Sequence, residues 1–347
     1  MFCYSSKKNN LKTIYIYCPA ASYTGGPTLA HQLCFSLIKI GLQARMWYDC
    51  NIVKKLYVDP VHERYKHFKN PYVLWAPKDS KDTVIIALES NVAILKHYKA
   101  AKRYIWWMSV DNFFLNMGNF FDHIKNRFGL FQPSMDYCKK YEQIEKYSVY
   151  KEIDIIHLVQ SEYARLFLLS RGINVNSIRD LGDYLEDELL EVSEEFDFIQ
   201  SDTMVLYNPK KGYEFTSKLI NYAPHLDWVP LENMNKYEVK RKLLTSKIYI
   251  DFGNHPGKDR FPREAVICGC CILTGKRGSA ANNIDIPIPS RYKFSDNLDS
   301  IPDIVKQIEI VLHEYDQCIL DFNVYKAQIK VEREQFEKQV LSIFSNL

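Results

Sequence analysis

The chain has 347 residues, of which 45 are Lys or Arg, 42 are Asp or Glu and 47% are hydrophobic, so its net charge is +3. This composition is typical of a globular protein and excludes a mostly disordered chain. At about 150 residues per domain, the length favours two domains. No apolar run approaches the roughly 18 residues that would span a bilayer, and the basic residues are dispersed rather than gathered into a nucleic-acid-binding stripe. The N-terminus lacks the apolar stretch of a secretory signal, so we expect a cytoplasmic protein.

In the first half of the chain, β-rich runs alternate with helical patterns, which predicts a doubly wound parallel sheet with helices on both faces. The predicted strands cover residues 13–18, 44–48, 83–88, 103–110 and 153–159, and the predicted helices cover 28–40, 91–99 and 161–170. Gly41 and Gly172 follow two of these helices, where a left-handed residue commonly ends a helix. We expect an N-terminal Rossmann-like domain over residues 1–182.

Residues 183–202 are rich in acidic side chains, contain no basic ones and show no strand pattern, so they are interpreted as the crossing between two domains. A second α/β domain is expected over 183–325. Its predicted strands cover 203–207, 247–252 and 271–274, and its predicted helices cover 212–222, 236–244 and 262–268. Residues 302–347 are predicted to be helical throughout, and we expect 326–347 to pack back on the N-terminal domain.

Ligands of doubly wound sheets bind outside the carboxyl ends of the strands, so the loops that follow the strands are the candidate sites. The first such loop carries Gly25 and Gly26 before a helix whose N-terminal amides can bind an anion. A simple turn is the alternative interpretation. The loop lacks the GxGxxG pattern of dinucleotide-binding proteins, which disfavours a dehydrogenase.

The densest group of polar residues lies in the second domain at 251–264, after a predicted strand and across the start of a helix. Lys258 and Arg260, together with helix amides, suit a diphosphate, and Glu264 suits hydrogen bonds from sugar hydroxyls. The alternative is a solvated loop held by Arg–Asp pairs. A second Gly-rich loop at 274–283 is another candidate phosphate or sugar site. The candidates in these two loops are His255, Gly257, Lys258, Arg260, Glu264, Gly275, Gly278 and Ser279.

Three segments in this order resemble nucleotide-sugar glycosyltransferases of the GT-B fold, most closely the GT4-like enzymes of bacterial surface-polysaccharide assembly. They are the Gly25-Gly26 loop, residues 208–212 (NPKKG) and residues 255–275 (HPGKDRFPREAVICGCCILTG). The resemblance implies two Rossmann-like domains that face each other across a cleft, with C-terminal helices crossing back to the N-terminal domain. It also implies that the N-terminal domain binds the acceptor and the C-terminal domain binds the donor.

By the same resemblance, Lys211 and Gly212 correspond to the pair that binds donor phosphates, and Glu264 corresponds to the Glu that binds ribose or sugar hydroxyls. The sequence departs from the family pattern in two ways. Pro256 occupies the position of an earlier Glu, and the family's second phosphate-binding residue, an Arg, is absent. The stereochemical outcome of the reaction therefore stays open.

The activity that the resemblance implies is transfer of a sugar from a nucleotide-sugar to a glycan or lipid-linked acceptor. Glu89 and Asp111 directly follow N-terminal strands and are the candidates for a catalytic base; the alternative for each is a helix cap. We expect no metal, because no Asp-x-Asp pair is placed to hold a metal–diphosphate, and no cofactor besides the donor substrate. The alternative functions are a nucleotide-sugar epimerase, a phosphorylase, and a non-catalytic nucleotide- or glycan-binding partner of a synthesis complex.

Two further features allow a structural and a functional interpretation. Residues 104–131 are rich in aromatic side chains, which are typical of a core, but the second half of this stretch suits a flap that touches a lipid-linked acceptor or the inner face of the membrane. The nine cysteines, including the CGCC run at 268–271, are expected to be reduced and buried, with a metal site as the less favoured alternative.

Overall fold

The structure is a computed structural model that describes residues 12–48, 59–117, 149–186, 189–190 and 200–347. Its described residues form two sheets, each with its own hydrophobic core. All strand pairs in both sheets are parallel. The carboxyl ends of the strands in each sheet therefore lie at one edge, and the loops that follow them carry the candidate site residues.

The first sheet has seven strands in the order β3-β2-β1-β4-β5-β6-β7. The strands are β1 (Thr13–Tyr17), β2 (Gln43–Trp47), β3 (Tyr72–Val73), β4 (Thr83–Leu88), β5 (Lys102–Trp107), β6 (Ile155–Val159) and β7 (Ile178–Asp180). Every residue of β4 is buried, as expected for a central parallel strand covered on both faces. The α-helices of this half are α1 (Gly25–Lys39), α2 (Val110–Met117) and α3 (Glu162–Ser170).

The second sheet has five strands in the order β12-β11-β10-β8-β9. The strands are β8 (Ser201–Tyr207), β9 (Asp227–Pro230), β10 (Ser246–Asp251), β11 (Cys271–Gly275) and β12 (Lys293–Phe294). Its helices are α4 (Tyr213–Tyr222), α5 (Lys236–Leu244) and α6 (Arg260–Ile267). Apolar side chains of β8, β10 and β11 meet in its core, among them Leu206, Tyr249 and Leu273.

The C-terminal region returns to the first sheet, as the predicted fold class requires. It is not continuous but divides into α7 (Ile301–His313), α8 (Tyr315–Cys318), a 3₁₀ segment (Ile319–Phe322), α9 (Asn323–Lys330) and α10 (Glu332–Phe344). Tyr325 and Ile329 of α9 belong to the core of the second sheet. Phe336 and Val340 of α10 belong to the core of the first sheet. The chain therefore crosses between the two cores at Val331, where the backbone leaves helical geometry.

Some local predictions were wrong. The strand predicted over 103–110 ends at Trp107, so Asp111 does not directly follow it but lies in the first turn of α2. The helix predicted over 91–99 is a 3₁₀ helix (Glu89–His97), within which Asn91 has non-helical backbone angles. The short strands β3, β7, β9 and β12 were not predicted, because two to four residues are too few to show a periodic pattern.

Candidate active site between the two sheets

The loop that follows β10 belongs to the second domain, which contains the five-stranded sheet. Its backbone contacts the backbone of the first domain, which contains the seven-stranded sheet. The Val110 amide donates a hydrogen bond to the Pro256 carbonyl at 2.8 Å. A Cβ atom at Gly257 would lie 1.8 Å from the Met108 carbonyl oxygen, so only glycine fits this contact. Pro256 therefore lies in the contact between the domains. It occupies the position at which the resembled family has a Glu.

Glycines also bring the loops of the second sheet together. Gly212 has a left-handed backbone (φ 65°), and a Cβ there would lie 2.4 Å from the Phe252 carbonyl carbon. A Cβ at Gly253 would lie 2.6 Å from Lys211 Cβ. The loop after β8, which carries Lys211, is thus packed directly against the loop after β10.

A compact group of charged residues, which we call the site cluster, lies where these loops meet the first domain; it consists of Asp111, Lys211, His255 and Asp259. Asp259 Oδ2 lies 2.7 Å from Lys211 Nζ and 3.1 Å from His255 Nδ1. The His255 side chain is fully buried, and its Nε2 lies 3.5 Å from Asp251 Oδ1. His255 therefore lies between two carboxylates.

The carboxylates of the site cluster are perturbed in opposite directions. Burial opposes ionisation of Asp259, but Lys211 and His255 beside it hold its pKa at about 2. Burial and the charge of Asp259 raise the pKa of Asp111 to about 6, against the opposing effects of Lys211 and a hydrogen bond from Tyr163. Burial lowers the pKa of His255, but Asp251 and Asp259 outweigh it and the net change is upward. The structure thus brings Asp111 of the first domain within electrostatic range of Lys211 and Asp259 of the second.

Glu89 lies behind this contact. Its carboxylate is buried and accepts a hydrogen bond from the Met108 amide at 3.1 Å. Burial raises its pKa to about 7, although this hydrogen bond opposes the shift. Glu89 therefore fixes the segment that touches Gly257. Neither Glu89 nor any residue of the site cluster is among the residues that line the cleft described next.

A cleft of about 510 Å³ opens between the two domains, and it is lined by Lys210 and Arg260, which adjoin Lys211 and Asp259 of the site cluster in the sequence. The first domain contributes the start of α1 and Arg64. The second domain contributes the loops after β8 and β9 and the first turns of α6, where Arg260 Nε lies 3.3 Å from Glu264 Oε1. The described residues that line it include Tyr23, Thr24, Gly25, Thr28, Arg64, Asn208, Lys210, Leu231, Met234, Arg260, Phe261 and Glu264. Of the sequence-predicted residues, Gly25, Arg260 and Glu264 line this cleft.

The remaining candidates from the Gly-rich loops lie beneath the β10 loop. The Ser279 hydroxyl donates a hydrogen bond to the Gly257 carbonyl at 2.7 Å, and the Ser279 amide donates one to the His255 carbonyl at 2.8 Å. Gly278 has a left-handed backbone, and a Cβ there would lie 2.0 Å from the His255 carbonyl oxygen. Gly275 packs near Phe252, and Gly26 packs near Leu88 and Met108. Gly278 and Ser279 therefore support the loop after β10 through its backbone at His255 and Gly257.

A second buried group, which we call the hinge cluster, joins both interdomain crossings; it consists of Asp183, Lys258, Arg263 and Glu332. Arg263 is fully buried and donates hydrogen bonds to Asp183 Oδ2 and Glu332 Oε2, both at 2.7 Å. Lys258 Nζ lies 2.7 Å from Glu332 Oε1. Lys258 thus points to the hinge cluster rather than to the 510 Å³ cleft. It lines a separate pocket of about 180 Å³.

One more contact between the domains was not predicted. Asp285 accepts hydrogen bonds from the Glu162 and Tyr163 amides at 2.7 and 3.0 Å, so a carboxylate of the second domain binds the N-terminus of α3. A lone Asp in a loop gives no sequence signal for such a contact.

The described cysteines are buried, free thiols; within the CGCC run, Cys270 Sγ lies 3.1 Å from the Leu243 carbonyl oxygen. Cys3, Cys50 and Cys138 lie outside the described residues. In the part of the chain that the structure describes, no group of three or more His, Cys, Asp or Glu side chains could hold a metal ion. No helix among the described residues is long and apolar enough to cross a membrane. The expected flap falls mostly at 118–131, which is also outside the described residues.

Comparison with known proteins identifies the fold. No protein-family model matches the chain, and no curated protein matches it significantly. Sucrose-phosphate synthase from Thermosynechococcus elongatus superimposes with a TM-score of 0.62 at 10% identity, covering 96% of this chain and 98% of that chain.

Two further solved structures agree. The lipopolysaccharide outer core galactosyltransferase WaaB in its apo form gives a TM-score of 0.59 at 12% identity, with 97% and 100% coverage. HepE from Anabaena in complex with UDP-glucose gives a TM-score of 0.57 at 9% identity, with 96% and 100% coverage. The predicted fold is confirmed: the chain has the GT-B fold of these glycosyltransferases.

Proposed function

We propose that this protein is a glycosyltransferase that moves a sugar from a nucleoside diphosphate donor to a glycan or lipid-linked acceptor in surface-polysaccharide synthesis. The observation that carries the proposal is the site cluster. It places a carboxylate of one domain beside a lysine of the other, at the sheet edges where ligands of this architecture bind. Proteins with a similar fold support it, including HepE, which was solved in complex with the nucleotide-sugar UDP-glucose.

The donor is proposed to lie in the 510 Å³ cleft against the second domain, a volume in the range of small-molecule sites. Lys210 is exposed at its wall and Arg260 opens α6 there. These two cations and Lys211 would neutralise the diphosphate. Glu264, one turn into α6, would accept hydrogen bonds from the ribose or sugar hydroxyls.

Transfer requires cleavage of the bond between the anomeric carbon and the diphosphate, and negative charge grows on the leaving phosphate as this bond breaks. A preorganised cation near that phosphate lowers the barrier. Lys211 is proposed for this role, with the diphosphate replacing part of its interaction with Asp259. His255, 3.1 Å from the same Asp259 oxygen, would then keep that carboxylate neutralised.

We assign the base to Asp111 rather than to Glu89, because Asp111 interacts with Lys211 across the domain contact whereas Glu89 binds the Met108 amide behind it. With a pKa of about 6, Asp111 is mostly ionised at pH 7 and able to take the proton from an acceptor hydroxyl. A base of this kind is needed for inversion at the anomeric carbon. NMR of the product formed from a donor of known configuration tests this assignment.

The proposal includes catalysis without a metal, since Lys211 and Arg260 offer the positive charge that a metal ion would otherwise supply at the diphosphate. Turnover should persist in excess EDTA, and its loss with recovery on adding Mg²⁺ or Mn²⁺ would reject this part.

We also propose peripheral contact with anionic membranes through residues 118–131. Co-sedimentation with anionic vesicles tests it, and deletion of those residues provides the control.

The deciding experiment is calorimetry with UDP, GDP and CMP, followed by turnover of the matching sugar donors. We expect one of the two nucleoside diphosphates, UDP or GDP, to bind and Lys211→Met to weaken or abolish turnover, while Lys218→Met, an exposed lysine on α4, serves as the matched control. Absence of binding to every nucleotide would refute the proposal. Conversion of the donor alone would indicate an epimerase, phosphate-dependent turnover a phosphorylase, and binding without turnover a non-catalytic partner.

A further inference from the structure

On the first-domain side of the cleft, Arg64 lies against the aromatic ring of Tyr23. Arg64 Cζ lies 4.3 Å from the centroid of the Tyr23 ring, and Arg64 Nη1 donates a hydrogen bond to the Tyr23 hydroxyl at 2.5 Å. The Tyr23 ring also stacks on His62, with centroids 5.3 Å apart. Both Tyr23 and Arg64 line the cleft, and Tyr23 remains 48% exposed.

This arrangement is anchored to the start of α1. Arg64 belongs to a 3₁₀ helix (Glu63–Phe68) whose first turn is capped by His62. Tyr65 of the same helix is buried, and its hydroxyl donates a hydrogen bond to the Thr24 carbonyl at 3.1 Å. The Ala21 amide bonds to the Pro60 carbonyl at 2.9 Å. The guanidinium is therefore preorganised relative to the cleft, which reduces the entropy that it loses on binding a ligand.

The charge of Arg64 has no acidic partner in the part of the chain that the structure describes. Within the described residues, no carboxylate forms an ion pair with Arg64, although Arg260 on the opposite wall is paired with Glu264. The cleft lining there contains five basic side chains and three acidic ones. A planar guanidinium that lies against an aromatic ring keeps its outer N–H groups available to a carboxylate or phosphate, which it can bind through two hydrogen bonds.

We propose that Arg64 binds an anionic group of the acceptor, a carboxylate or a phosphate, so that the acceptor is an acidic rather than a neutral glycan. The inference rests on the proposed function and names the substrate class of the same site. The acceptor is the ligand in question because Lys210 and Arg260 of the second domain already line the cleft and provide charge for the donor diphosphate, whereas Arg64 belongs to the first domain on the facing wall. Tyr23, whose ring is half exposed beside it, offers an apolar surface to the adjoining sugar.

A glycan array tests the inference on the full chain saturated with the nucleotide that it binds. The array holds neutral glycans, glycans with uronic acids and glycans with phosphate groups, so the last two arms separate the two sources of charge. We expect wild type to bind acidic glycans. Arg64→Gln should weaken that binding roughly tenfold to hundredfold, as loss of hydrogen bonds to a charged group does, and should leave nucleotide affinity unchanged.

Lys66→Gln is the matched control, because Lys66 lies on the same 3₁₀ helix but pairs with Asp59 and does not line the cleft. It should bind acidic glycans like wild type. Preference of wild type for neutral glycans, absence of glycan binding with nucleotide bound, or equal binding by Arg64→Gln would each overturn the inference. Failure of every nucleotide to bind would instead reject the proposed function.

Discussion

The site cluster and the hinge cluster are both groups of charged residues near the domain contact, the first partly buried and the second more deeply buried, yet their charges are arranged differently. In the hinge cluster, Lys258 and Arg263 face two carboxylates at short distances, and Arg263 lowers the pKa of Asp183 against the effect of burial. In the site cluster, Asp111 keeps a raised pKa beside the paired Asp259. Each cluster has two acidic and two basic residues, so the difference lies in their pairing. Removing one partner from a closely paired buried group is costly to stability, whereas a carboxylate with a strongly raised pKa in a cleft is typical of a functional site.

The largest effect is expected in the hinge cluster. Arg263→Met leaves Asp183 and Glu332 as buried carboxylates without their main partner, which should cost about 3–5 kcal/mol of unfolding free energy. Urea denaturation measures it. Lys338→Met removes an exposed charge paired with Glu334 on α10 and should change nothing measurable. Equal midpoints for the two variants would show that the hinge cluster contributes no stability.

Replacing Lys211 should mainly affect catalysis, in contrast to replacing Arg263. Lys211→Met removes the proposed stabiliser of the leaving phosphate and should lower kcat/KM for the donor by roughly 10²- to 10³-fold. Steady-state kinetics with the donor found by calorimetry measures this, and Lys218→Met provides the reference. A variant that unfolds but retains its specific activity in the folded fraction would assign Lys211 to structure.

Asp111 should show opposite effects on stability and activity. Because its pKa in the folded state, about 6, lies above the unfolded value near 4, folding favours the protonated form, and stability falls as the pH rises between these values. Asp111→Asn should abolish most turnover yet raise the unfolding free energy at pH 7 by about 1–3 kcal/mol. Urea titrations at pH 4 and pH 7 should show the gain only at the higher pH.

For wild type, kcat/KM should rise with pH to a plateau above about pH 6, where Asp111 is ionised. A rate that does not change between pH 5 and pH 8 would argue against Asp111 as the base.

The smallest effect is expected at Glu264, which lies at the cleft and makes an ion pair with Arg260. Glu264→Gln should weaken nucleotide binding by a factor of about 5, corresponding to roughly 1 kcal/mol. Calorimetry with each nucleotide and its 2′-deoxy form tests the assigned contact, because the preference for the ribose form should shrink in the variant. Glu309→Gln, in an exposed pair with His225, is the control.

Much of the fold was predictable because parallel strands buried on both faces are apolar runs, as in β4, and because helices of this architecture separate them. The resemblance supplied the pairing of the two domains. Asp111 and His255 were candidates because strand ends of a doubly wound sheet meet at one edge, whereas Lys211 was a candidate through the resemblance. Their mutual distances depend on how the sheets face each other, which no local pattern encodes.

The hinge cluster could not be predicted. Arg263 lies 80 positions from Asp183 and 69 from Glu332, so no sequence spacing links them. For the same reason Lys258 was expected at a diphosphate, although its partner is Glu332. The Tyr23 and Arg64 pair is separated by 41 positions and was missed as well. In each case the role of the charged residue depends on a partner that is far away in the sequence, and local composition does not identify that partner.

The hydrogen bond from the Val110 amide to the Pro256 carbonyl provides a natural reporter of motion. Separation of the two domains exposes this amide to solvent, so its deuterium uptake measures how often the cleft opens. Amides within β4 should exchange only when that sheet unfolds. The ratio of the uptake rates of the Val110 amide and the β4 amides, measured with and without a nucleotide, would therefore separate transient opening of the domain contact from unfolding.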